Sequence, residues 1–107
     1  MRESDLLCYY SDYGPERGGI LTNQGIIELK NSCEEPENGF ELDFEDLDKL
    51  EDVHTIGTWH THPGKGANLS SEDYEAFLSW PRLKHFIIGK DGVRKYSVRK
   101  DCVINES

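Results

Sequence analysis

Two histidines one residue apart, His60 and His62, and a carboxylate at Asp73 are the residues whose types and spacing could do chemistry. Side chains alternate faces along a β-strand, so His60 and His62 on a strand point the same way, with Cα atoms about 6.5 Å apart. Imidazoles so placed can converge on one metal ion at about 2.0–2.1 Å per bond. Pro63 stops the strand, and the glycine-containing loop over 63–69 brings the chain back. Ser70 starts a helix whose first turn offers Asp73 as a third ligand. Two histidines and one carboxylate leave a fourth tetrahedral position open, the pattern of a catalytic zinc site rather than a closed structural one.

Each piece alone has a plainer reading. A lone His-x-His on a strand is usually a pair of surface or hydrogen-bonded histidines. Ser70-Ser71-Glu72-Asp73 is first of all a helix-capping signal, in which Ser70 accepts an amide hydrogen bond. Capping and ligation are compatible, because the cap orders the turn that carries Asp73. The conjunction is the informative feature. At about one-in-twenty usage per position, the five fixed positions would arise by chance in about one chain of this length in 30,000.

The pattern His60-Thr61-His62-Pro63, residues 64–69, then Ser70-Ser71-Glu72-Asp73 resembles the signature of the JAMM/MPN⁺ zinc metallopeptidases. Upstream, Pro15-Glu16-Arg17-Gly18-Gly19-Ile20-Leu21 resembles the segment that supplies that family's glutamate, and Ile56-Gly57-Thr58-Trp59 fits the strand before the first histidine. The resemblance implies one MPN (cytidine-deaminase-like) domain over 1–107, with a mixed β-sheet flanked by helices. It implies His60, His62 and Asp73 as zinc ligands, Glu16 as general base and Ser70 as a stabiliser of the oxyanion. The chemistry of these groups agrees. Zinc lowers the pKa of water to about 7, a carboxylate takes the proton, and a hydroxyl can donate to the developing oxyanion. Gly18-Gly19 allows the close backbone approach that placing Glu16 requires.

The elements that must position these residues are legible in outline. Residues 1–13 suggest a short helix with Leu6, Leu7, Tyr10 and Tyr13 on one face. Residues 19–29 read as a hairpin, 31–39 as a polar acidic loop, 40–42 as a short extended segment and 43–52 as a helix. A strand runs from 53 to 62, in which Gly57 signals close packing or a bulge. A helix from Ser70 or Ser71 carries Tyr74, Phe77 and Leu78 and ends at Pro81. Strands over 85–88 and 93–98 flank a turn at 90–92; the tail after Arg99 reads as frayed. The order predicts an α/β or α+β domain with a mixed sheet. The expected core is Ile20, Ile26, Phe44, Trp59, Phe77, Phe86 and Ile88. His54 and His85 read as surface or strand residues, and Glu28 as a solvated one.

Composition narrows the partners. Twelve Lys and Arg against 21 Asp and Glu give a formal net charge of −9. That field repels phosphate backbones and anionic membranes, so neither nucleic acid nor a membrane is expected as a partner. Three dispersed cysteines, Cys8, Cys33 and Cys102, form no C-x-x-C pair and suit a reducing compartment as free thiols. No apolar run is long enough for a signal peptide or a membrane span, so a cytoplasmic protein is expected. The chain is short for the family it resembles, closer to prokaryotic JAB-like proteins, including those of phage tail assembly. The expected substrate is a protein or peptide with a flexible tail: ubiquitin-like, sulfur-carrier or phage tail. The alternative is a non-catalytic assembly module with a structural or vestigial metal site.

Overall fold

The computed structural model describes residues 2–42 and 54–106. The domain is a small α/β unit built on one six-stranded mixed sheet. Its strands are β1 (Gly18–Thr22), β2 (Gly25–Leu29), β3 (Thr55–Thr61), β4 (Lys84–Gly89), β5 (Gly92–Arg99) and β6 (Cys102–Asn105). Their order across the sheet is β2-β1-β3-β4-β5-β6. One helix, α1 (Ser71–Leu78), lies between β3 and β4, and a 3-10 helix spans Glu3–Tyr9.

Among the described residues the one parallel pairing, β3 with β4, requires a crossover, which the loop after His62 and α1 supply. The other pairs are antiparallel. Strand alternation divides the core in two. Leu21, Trp59, Phe86 and Ile88 face the 3-10 helix and pack on its Leu6. Ala67, Ile87 and Tyr96 form the second cluster with Phe77 of α1. His60, one residue beyond Trp59, therefore belongs to the α1 face. Gly57 is required by close packing, since a Cβ there would stand 2.6 Å from the Lys84 carbonyl oxygen. A register irregularity at Leu21/Thr22 lies opposite it. Among the described residues, no helix is long and apolar enough to cross a membrane.

Several expectations change. The N-terminal segment is a 3-10 helix that buries Leu6 alone, while Leu7 and Tyr13 are exposed. Residues 40–42 are in no strand. The tail after Arg99 is not frayed: Lys100 and Asp101 adopt left-handed φ values of 50° and 62°, and β6 returns along β5. A two-residue turn of this hand matches strand twist, and here Lys100 and Asp101 make it without glycine. Ile26 is half-buried against the first cluster. The helix expected over 43–52, with Phe44, falls outside the described residues.

Candidate metal centre

β3 carries His60 at its carboxyl end, and His62 follows just beyond Thr61, the last strand residue. His62 is still held by its backbone, which donates to the Ile88 carbonyl at 2.8 Å. The two rings meet with Nε2 atoms 3.2 Å apart. Ser70 caps α1, its Oγ accepting from the Asp73 amide at 3.1 Å, while the Asp73 carboxylate accepts in return from the Ser70 amide at 3.4 Å. That reciprocal cap turns Asp73 into the histidine pair: Oδ1 lies 3.0 Å from His60 Nε2 and Oδ2 3.2 Å from His62 Nε2.

Glu16 arrives from the other end of the chain. Its neighbour Arg17 donates to Thr61 Oγ1 at 2.9 Å and accepts from the Thr61 amide at 2.8 Å. Gly18 pairs with His60, and a Cβ there would lie 2.6 Å from the Trp59 carbonyl oxygen, so the Gly18-Gly19 segment does permit the close approach expected of it. Glu16 is buried, with a carboxylate oxygen within 4.8 Å of the His60 and His62 ring nitrogens. The structure thus brings Glu16, His60, His62, Ser70 and Asp73 together from three segments.

The donor set fits a metal ion. His62 Nδ1 lies 3.1 Å from the Gly66 carbonyl oxygen, which only accepts, so Nδ1 carries the ring proton. Nε2 of neutral His62 then presents a lone pair toward both Asp73 and His60. That arrangement is stable only with a proton or a cation shared among the three atoms. Ligands about 2.0–2.1 Å from a tetrahedral ion stand about 3.3 Å from one another, close to the 3.0–3.2 Å separations here. Glu16, His60 and His62 form a second trio able to hold an ion.

The electrostatics follow from burial and contact. Burial pushes the Glu16 carboxyl above its ordinary value, against the pull of His60 and His62. Burial acts on Asp73 in the same sense, but hydrogen bonds from both histidines and Ser70 outweigh it and hold that carboxyl well below the usual range. Burial disfavours the His62 cation, yet Asp73 and Gly66 overcome it and raise its pKa.

Three supporting residues were not singled out from the sequence. Thr61, between the histidines, ties Arg17 to β3. Asn31 Nδ2 donates to the carbonyls of Glu16 at 3.0 Å and Gly39 at 2.9 Å, and its Oδ1 accepts from the Cys33 amide at 3.0 Å. Phe40 stacks over His60 with ring centroids 6.4 Å apart. The nearest sequence signal was an asparagine opening a polar loop, which is common to many turns. Glu28 is solvated, as expected, but also grips Arg17 by two 2.7 Å contacts. His85 is a strand residue, as expected, on β4, and it is almost wholly buried, 1% exposed. His54 is exposed.

No protein-family model matches the chain, and no curated protein matches it. Its fold is similar to the solution structure of protein DSY2949 from Desulfitobacterium hafniense, with a TM-score of 0.69 at 22% identity. The match covers 98% of this chain and 81% of that one. At that identity the likeness concerns the fold alone.

Proposed function

We propose that the chain is a zinc metallopeptidase or isopeptidase of the JAMM/MPN⁺ type, acting on a protein or peptide tail. The observation that carries this reading is the convergence of His60, His62 and Asp73 to within 3.0–3.2 Å of one another beside the buried Glu16 carboxylate. The six-stranded mixed sheet is compatible with an MPN domain.

His60 and His62 would hold the ion through Nε2 and Asp73 through its carboxylate, with Gly66 fixing the His62 tautomer in the manner of an outer-shell partner. Zinc, when bound, would polarise the substrate carbonyl and bring the pKa of water near neutrality. Glu16 accepts the proton of the attacking water on a carboxylate oxygen and passes it to the leaving amine. Its raised pKa brings it closer to the operating pH, which suits both transfers. Ser70 Oγ accepts from the Asp73 amide, which leaves its own O–H to donate to the developing oxyanion.

The test is Glu16→Gln, compared with the parent for zinc content and for cleavage of reporter peptides. The variant should keep the metal and lose turnover by about 10²–10⁴-fold, the contribution of one general base. Equal turnover would remove Glu16 from the mechanism, and no cleavage by the zinc-loaded parent would favour the non-catalytic assembly module.

A further inference from the structure

Two cavities meet at Asp73. One, of about 640 Å³, is the more polar of the two and is lined in part by Glu16, His62 and Ser70. The other, of about 420 Å³, opens on the His60 side, between α1 and the sheet. The second lies within the size range of ligand pockets, and its contents differ in kind. Phe40, Leu42, Ala76, Phe77 and Trp80 line it. Its polar walls are occupied with one another. His85 Nε2 faces the Trp80 carbonyl oxygen at 3.0 Å and so carries the ring proton, leaving Nδ1 to accept from Thr58 Oγ1 at 2.6 Å. Phe77 stacks on that imidazole with centroids 4.2 Å apart. The Ser79 hydroxyl donates to the Glu75 carbonyl at 3.3 Å, and Glu41 is exposed to solvent. The lining also includes His60 and Asp73, the residues that would hold the ion, so the cavity opens onto the metal centre. Trp80, 43% exposed, is a large apolar side chain that the core does not use.

We infer that this cavity is a subsite for one large apolar side chain, aromatic or branched aliphatic, in the residue that flanks the bond to be cut. The inference rests on the metallopeptidase reading and specifies its substrate. A ligand here would have an apolar body against Phe77, Ala76 and Trp80 and one polar end at the metal centre beside His60 and Asp73, which describes an amino-acid residue with its backbone at the centre. A tail of glycines alone would leave the cavity unfilled.

The test is an amide titration of the zinc-loaded protein followed by NMR, using N-acetyl-phenylalaninamide, N-acetyl-leucinamide and N-acetyl-glycinamide as probes. The first two should shift the Trp80 indole N–H and the Ala76 and Phe77 amides, and the glycine amide should not. Ala76→Trp, which fills the cavity, and Trp80→Ala, which opens its wall, should each weaken the response. In reporter peptides an apolar residue beside the scissile bond should raise kcat/KM by about 10-fold or more over glycine. No shift with either apolar amide, or equal shifts with all three, would overturn the subsite. The titration needs no turnover, so it fails independently of the Glu16→Gln comparison, which tests the metallopeptidase itself.

Discussion

The side chain of Asn31 donates to the backbone carbonyl of Glu16 at 3.0 Å, across 15 positions of sequence. The Glu16 amide donates to the Pro36 carbonyl at 2.6 Å, so both backbone polar groups of Glu16 are held by the loop that Asn31 organises. The carboxylate is therefore aimed by its own backbone.

Asn31→Ala should then damage the site without touching the metal ligands. Removing one partner of buried backbone groups costs about 1–3 kcal/mol, so the melting temperature should fall. Zinc content should be retained while turnover drops by more than the loss of folded protein explains. Elemental analysis beside an activity assay checks this; full turnover per folded molecule would remove the positioning role.

Asp73→Asn and His62→Ala should each lose most bound zinc. Asp73 donates no proton in its contacts with the two histidines, and an amide at the same place offers a neutral, weaker ligand. Stoichiometric zinc in either variant, after dialysis against a weak chelator, would refute the ligand set.

Chelation should abolish activity and leave the fold largely intact. Trp59, Ile20, Ile87 and Ile88 are fully buried without help from the centre. The metal still stabilises by mass action, so the apo protein should melt at a lower temperature. A fully unfolded circular dichroism spectrum at room temperature would contradict this. By the same logic Trp59→Ala should cost about 3–5 kcal/mol, read by urea denaturation.

His85 makes stability depend on pH. Burial lowers its pKa from 6.5 to about 4 in the folded chain. Between those values the unfolded chain binds more protons, so stability is intact above about pH 6.5 and falls as pH drops toward 4. The full loss is about 3 kcal/mol. Urea denaturation of chelated protein at pH 7 and pH 5 should show a decline that His85→Gln lacks; parallel declines would sink the assignment.

What the sequence made legible was whatever repeats locally. Trp59 alternates with His60, so its burial on the opposite face could be read from strand period alone. The hairpin over β1 and β2 is written in its own turn. The burial of His85 was not legible because its Thr58 partner lies 27 positions away, and nothing near it announces a hydroxyl in the core. β6 was missed because a four-residue strand is defined by its pairing with β5, and its turn lacks the usual glycine. In the site, the His60-His62-Asp73 spacing was visible because it is compact. Asn31 was not, because its work is to gather loop carbonyls scattered as far apart as Glu16 and Gly39.

That compactness bears on how the centre would assemble. His60, His62 and Asp73 sit within 14 consecutive residues, joined by one loop and one helix turn. A ligand set so local closes a small loop, and loop closure at that length is a submicrosecond event. Glu16 waits on the pairing of β1 with β3 across more than forty residues, a non-local step that is slower to find. A refolding chain would therefore capture an ion before Glu16 is in place. Metal uptake and hydrolytic competence would be acquired in that order, and a partly folded chain would carry zinc without being able to cut its neighbours.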